Sequence, residues 1–317
     1  MSRFSNIAFV FPGQGSQAIG MCKDIVAAYP VAKETIEHAD DMMGFALSKL
    51  MFEGPEDELG DTAITQPAMY VCSIAMLRAL KIELATIQPT CVAGHSLGEF
   101  SALTVAGSLS FEDGLRLVRE RGRLMKEAGE KHRGSMAALL GITSEKAEAL
   151  VKSASEKTGK PVVIANDNCL GQIVISGDNE ALAAAVDMAK EYGARRVLPL
   201  AVSVATHSPL MQSAKEEFTK LVQETAFIAP SVPIYANVTA KPIKTIEDIR
   251  TELEEQITSS VRWTQSIQAM IDAGIDTFVE IGSKNILTGL MRRIDKTKTA
   301  IAINDVSTLQ AFVQDYS

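Results

Sequence analysis

The chain has 317 residues, of which 46% are hydrophobic and 22% charged, and a formal net charge of −8. That length can bury one large core or a large and a small one, and the composition is that of an ordinary globular enzyme. The negative balance argues against nucleic acid or anionic membrane as a partner.

Four scattered cysteines, Cys22, Cys72, Cys91 and Cys169, fit neither a disulfide framework nor metal-ligand spacing. The opening Met1-Ser2-Arg3-Phe4 leads straight into an apolar run, with no signal peptide ahead of it, and no apolar stretch approaches a membrane span. These features predict a cytoplasmic protein that does not enter a membrane.

The first strand is predicted over Ile7–Phe11. It runs into Gly13-Gln14-Gly15-Ser16-Gln17-Ala18, which matches the dinucleotide fingerprint G-x-G-x-x-A. That reading needs a second strand within about thirty residues, closed by an acidic side chain. Instead, Ile19 to Leu50 reads as helix throughout. The segment is then either a plain strand-to-helix turn using glycine's backbone freedom, or a turn that offers the Gln14 N–H to a neighbouring site. A helix follows over Gln66–Lys81, with Pro67 expected in its first turn.

Thr90–Ala93 is the next strand, followed by the tight turn Gly94-His95-Ser96-Leu97-Gly98 and a helix apolar on nearly every side. This is the setting of a nucleophile elbow, in which the serine oxygen stands exposed above a sheet. The N–H of Leu97, at the helix N-terminus, can then stabilise an oxyanion. The competing reading is a capping box, Ser96 with Glu99 three residues on.

Helical periodicity over Phe111–Ala128 puts Leu117, Val118, Leu124, Met125 and Ala128 on one face, and Arg121 in the middle of it. A snorkelling arginine belongs at a stripe edge. A central one needs an anion. That anion is either an internal Asp or Glu, or a substrate carboxylate held by the planar guanidinium fork.

From Gly134 the pattern becomes strand Ser135–Gly141, helix Ser144–Lys157, strand Val162–Asn166, a turn at Gly171, strand Gln172–Ser176, helix Asn179–Tyr192 and strand Arg195–Leu200. This β-α-β-β-α-β order is ferredoxin-like, and we place an inserted domain at 133–198 within a larger domain of 1–132 and 199–317. Strands are further predicted at Val197–Val204, Val232–Ala236, Thr277–Ile281 and Thr299–Ile303, and a helix at Pro209–Thr225 capped by Ser208. Strands alternating with helices predict an α/β fold whose mostly parallel sheet is covered on both faces.

Of four histidines, His38 and His132 lie in charged surroundings, and His95 adjoins the serine on a turn where neighbouring side chains diverge. His207, between a strand end and a helix start, is the candidate general base; the alternative is a capping or buried histidine. No carboxylate third member is evident, which leaves a backbone carbonyl to orient it. Gln256 projects along the apolar face set by Ile249, Leu253 and Ile257, unless it is a helix-edge amide.

Phe11-Pro12-Gly13-Gln14-Gly15-Ser16-Gln17, Thr65-Gln66-Pro67-Ala68, Gly94-His95-Ser96-Leu97-Gly98-Glu99, Arg121-Gly122, His207-Ser208-Pro209-Leu210-Met211 and Val261-Arg262-Trp263 occur in that order. With them the chain resembles, over essentially its whole length, the malonyl-CoA:acyl carrier protein transacylases, which include polyketide synthase acyltransferases. The resemblance implies a hydrolase-like domain with a ferredoxin-like insert, and a ping-pong transfer of malonyl from coenzyme A to a carrier protein, without metal or redox cofactor. It implies Ser96 as nucleophile, His207 as base, Gln14 and Leu97 as oxyanion donors, Arg121 as holder of the malonyl carboxylate, and Gln256 as the residue whose carbonyl orients His207. A monomer is expected, with a freestanding acyltransferase loading a polyketide synthase carrier protein, a thioesterase or a non-catalytic acyl-CoA binder as rival readings. Three positions depart from the family pattern: Lys284 where glycine is usual, Ser260 where proline is common, and the Val204-Ala205-Thr206-His207 tetrapeptide.

Overall fold

Side chains alternate across the first strand, β1 (Ile7–Phe11), so that Ile7, Phe9 and Phe11 enter one apolar cluster while Ala8 and Val10 enter another. Both faces of this strand are therefore buried, as an unbroken apolar run requires. The computed structural model in which this is seen describes residues 4, 6–200, 202 and 204–316.

The remaining strands are β2 (Cys91–Gly94), β3 (Gly134–Leu140), β4 (Val162–Cys169), β5 (Gln172–Asp178), β6 (Arg196–Pro199), β7 (Ile234–Tyr235), β8 (Pro242–Ile243), β9 (Thr277–Ile281) and β10 (Thr299–Ile303). They form a six-stranded sheet, β10-β9-β1-β2-β7-β8, that is parallel except for the edge pair β7–β8. Strand order reverses at β1, which lies between β9 and β2. Such a switch point opens a crevice beyond the carboxyl ends of the strands, and the chain turns there at Pro12–Gln14 and again at His95–Leu97.

A separate four-stranded antiparallel sheet, β4-β5-β3-β6, has the ferredoxin-like order expected from the sequence. Helices Ser144–Thr158 and Asn179–Met188 cover one of its faces. The other carries Met136, Ala138, Ala165 and Val174 and closes over the crevice of the large sheet. Two backbone bonds fasten it there, Val261 N–H to Ala165 O at 2.8 Å and Asp167 N–H to Val261 O at 2.9 Å.

Several elements differ from the sequence expectation. Ile19 to Leu50 is not one helix: it breaks into Lys23–Ala28, Pro30–Met43 and Leu47–Glu53. Pro30 begins a helix because it has no N–H to give the preceding turn, and Gly44 ends that helix at φ 75°. The helix expected from Gln66 starts at Thr62, where the Asp61 side chain accepts from the Ala63 N–H, so Pro67 lies inside it.

That helix, Thr62–Glu83, is long and apolar enough by composition to cross a membrane, contrary to the expectation that no such run exists. It is a core helix, with 83% of its most apolar window buried within the protein. The strand expected over Val197–Val204 ends at Pro199, on an outer strand where proline's missing donor is tolerated. Within that expectation Ala201 and Ser203 lie outside the described residues, as do Met1, Ser2 and Arg3 of the opening segment.

Candidate active site

Ser96 sits at φ 51°, a left-handed backbone that side chains other than glycine rarely adopt. The turn is forced by close approach. A Cβ on Gly98 would come within 2.1 Å of the Phe11 carbonyl oxygen, and one on Gly13 within 2.5 Å of the His95 oxygen. The N-terminal turn and the elbow thus interlock, and the His95 N–H donates to Phe11 O at 2.9 Å. The expected elbow is present. The capping box is not: the Ser96 N–H donates to Asn237 Oδ1 at 2.7 Å, and the Glu99 N–H donates to the Ser96 carbonyl, not to its hydroxyl.

His207 and Arg121 converge on that hydroxyl. Ser96 Oγ lies 2.7 Å from His207 Nε2 and accepts from Arg121 Nη2 at 3.1 Å. His207, itself at φ 58° and buried, turns Nδ1 toward the Gln256 carbonyl at 2.8 Å and the Ser259 carbonyl at 3.1 Å. Two acceptors at Nδ1 require the proton there, so Nε2 is free to accept from serine. Burial and then the Arg121 charge hold the imidazole down to about 3, against the opposing pull of the Gln256 carbonyl. It is neutral at physiological pH and so able to accept a proton at Nε2.

Arg121 is 1% exposed, in the middle of the apolar stripe as predicted. Its Nη1 donates to Gln66 Oε1 and its Nη2 to Gln256 Oε1, both at 2.8 Å. Among the described residues its Nε has no partner and no carboxylate touches the guanidinium. The internal ion pair kept open by the sequence is therefore not formed by direct contact. Burial lowers Arg121 to about 10, so it remains a cation, and both fork partners are neutral oxygens.

Gln14 and Leu97 both line the cavity at Ser96, and among the described residues neither backbone N–H has an acceptor. Leu97 directly precedes helix Gly98–Val105, whose dipole adds positive potential at its N–H. The cavity, about 100 Å3, is completed by Met125, Met136, Asn166, Leu200, Val202 and Thr206. Gln14 and Val202 also line a wider cleft of about 570 Å3 that opens outward past Lys126 and Arg133.

Two residues beneath the site were not singled out as functional from the sequence. Asn237 holds the elbow from below, and its Nδ2 also donates to Gly94 O and to Glu99 Oε1, each at 2.8 Å. Glu99 is completely buried. Burial, with Glu252 nearby, pushes its carboxyl above the usual range, while Asn237 and Gln256 donors pull it back. A third, Gln66, lay in a recognised motif whose role only the contact with Arg121 reveals. His95, set aside as base, instead meets Asn168 of β4, Nε2 to Oδ1 at 2.8 Å.

The family described as acyl transferase domain matches residues 8–309. The malonyl CoA-acyl carrier protein transacylase of Bacillus subtilis (strain 168) is 42% identical over 310 residues, spanning 98% of this chain and 97% of that protein. A solved malonyl-transacylase in complex with a type II PKS acyl-carrier protein superposes with a TM-score of 0.94 at 40% identity, over 98% of this chain and 100% of that one. An acyl carrier protein S-malonyltransferase from Vibrio cholerae O1 gives 0.93 at 40% identity, over 97% and 99%. The chain belongs to the acyl transferase family, among the malonyl CoA-acyl carrier protein transacylases.

Proposed function

We propose that the protein transfers a malonyl group from coenzyme A to the phosphopantetheine thiol of an acyl carrier protein through an ester on Ser96. The observation that carries this reading is Arg121: a buried cation, bonded only to neutral oxygens, within 3.1 Å of the nucleophile. A guanidinium placed there has use for an acyl group that ends in a carboxylate.

In the first half-reaction His207 Nε2 takes the Ser96 proton as Oγ bonds to the thioester carbon. The Gln14 and Leu97 N–H groups receive the oxyanion. The carbon–sulfur bond then breaks, and the histidine proton goes to the departing coenzyme A thiolate. In the second half-reaction the carrier thiol gives its proton to His207 and attacks the ester, and the proton returns to Ser96.

Arg121 has a further effect on the base. Its charge disfavours the imidazolium that must form at His207. A malonyl carboxylate seated on the guanidinium offsets that charge, so the acyl group that binds well also leaves the base stronger. An acetyl group does neither.

The wide cleft past Gln14 admits the pantetheine arm, and Arg133 at its wall suits the acidic end of coenzyme A, while Lys126 there is already paired with Asp61 at 2.6 Å. All the reacting groups come from one chain, which supports a working monomer. Four buried free cysteines support a reducing, cytoplasmic setting, and the net charge of −8 disfavours nucleic acid or anionic membrane. The separate four-stranded sheet, from Gly134 of β3 to Pro199 of β6, supports an inserted domain near 133–198 whose C-terminal boundary lies just past Pro199.

Mixing the protein with malonyl-CoA and a holo carrier protein, and following the carrier by mass, tests the reading. Malonyl-carrier should accumulate as coenzyme A is released. Free malonate without carrier loading would make it a thioesterase, and neither product would make it a binder.

A further inference from the structure

The carboxylate of Glu99 makes no contact with the reacting atoms, yet it lies at the end of a chain of polar groups that reaches Arg121. Asn237 N–H donates to Glu99 Oε1 at 3.1 Å and Asn237 Nδ2 to the same oxygen at 2.8 Å. Gln256 Nε2 donates to Glu99 Oε2, and also to Ser96 O at 3.1 Å. Every one of these neighbours is a donor. Only an acceptor on both oxygens satisfies them.

Fixing Gln256 Nε2 in this way fixes its other end. The amide oxygen must then face Arg121, where it accepts from Nη2 at 2.8 Å. Were the amide reversed, its NH2 would meet the guanidinium donor to donor. We infer that Glu99 is a positioning residue for malonyl selection: through the Gln256 side-chain amide it holds the Arg121 fork in place while leaving the cation free for a substrate carboxylate. A carboxylate in direct contact with Arg121 would occupy the fork. One residue removed, it orients the fork without competing for it.

This rests on the malonyl-transfer reading above. Glu99→Gln keeps the side chain's size and introduces one NH2. Two donors from Asn237 face Oε1 and one from Gln256 faces Oε2, so the NH2 turns to the Gln256 side and reverses that amide against Arg121. The role is therefore in selection, and it separates from a merely structural one by a ratio of two substrates.

The experiment measures kcat/KM for malonyl-CoA and for acetyl-CoA in the wild type, in Glu99→Gln, in Arg121→Ala and in the double variant. The malonyl-to-acetyl ratio should fall about tenfold or more in Glu99→Gln, and adding Glu99→Gln to Arg121→Ala should leave the ratio unchanged. Gln256→Met, which keeps the main-chain carbonyl on His207 but removes the amide, should lower the ratio in the same way, and it decides the matter if Glu99→Gln does not fold. A fall of equal size for both substrates, or an undiminished ratio in Gln256→Met, overturns the inference while the transfer reading stands. A wild type with no malonyl preference overturns both.

Discussion

Asn237 Oδ1 accepts the Ser96 N–H at 2.7 Å across 141 positions of sequence, and so holds that serine's left-handed backbone in place. The same side chain donates to Gly94 O and Glu99 Oε1, which ties the strand before the elbow to the helix after it. Strain at Ser96 persists because the surrounding structure over-determines it.

Removing that clamp leaves buried groups unpaired. Asn237→Ala should destabilise the protein by about 1–3 kcal/mol and slow acylation by malonyl-CoA and by acetyl-CoA in the same proportion. Chemical denaturation and burst kinetics check this. Unchanged stability would show that Ser96 holds its geometry unaided.

Arg121→Ala should lower malonyl transfer strongly and raise the relative use of acetyl-CoA. On the proposed reading a neutral acyl group is rejected because it brings the buried cation no counter-charge, a penalty of about 3–5 kcal/mol for a broken buried pair. Competition between the two thioesters measures the shift. An unchanged preference would mean that Arg121 serves only Gln66 and Gln256.

His207, held down to about 3, stays neutral as pH falls through the ordinary histidine range. His207 should therefore add no limb near 6.5 to the pH profile of single-turnover acylation, where an ordinary histidine would already be protonating. For stability the sign is set by the proton count. The unfolded chain binds a proton at this histidine below about 6.5 and the folded chain does not until about 3, so folding weakens progressively across that window. His207→Ala should slow acylation by about 10²–10⁴ and abolish its part of the stability profile. An acylation limb with a midpoint near 6.5 in the wild type would contradict the burial argument.

Lys284 takes φ 64°, the left-handed conformation for which glycine is suited, and its side chain is exposed. Lys284→Gly should stabilise the fold by about 1–2 kcal/mol through relief of that conformation, offset in part by the greater freedom of glycine when unfolded. Thermal denaturation reads the balance, and a clear loss of stability would give the lysine side chain a role of its own.

The parts of the site set by neighbouring residues were legible in the sequence. The elbow follows from a strand, a glycine turn and a helix within fourteen positions, Thr90 to Leu103. Arg121 follows from helical periodicity, and the carbonyl at His207 from the lack of a suitable acid. The supporting layer was not legible, because Asn237 and Glu99 meet across 138 positions and a loop asparagine looks like any turn residue. Helix boundaries failed where one residue decides them: Pro30 divided a predicted helix, and Asp61 began another earlier than its apolar pattern suggested.

The central claim is that Ser96 carries the acyl group between coenzyme A and carrier. Intact mass of the protein mixed with malonyl-CoA alone, followed by proteolysis and fragment sequencing, measures it most directly. The account predicts one added malonyl group, located on Ser96, absent in Ser96→Ala and lost on addition of holo carrier protein. A malonyl group on any other residue, or one that persists in Ser96→Ala, would contradict it.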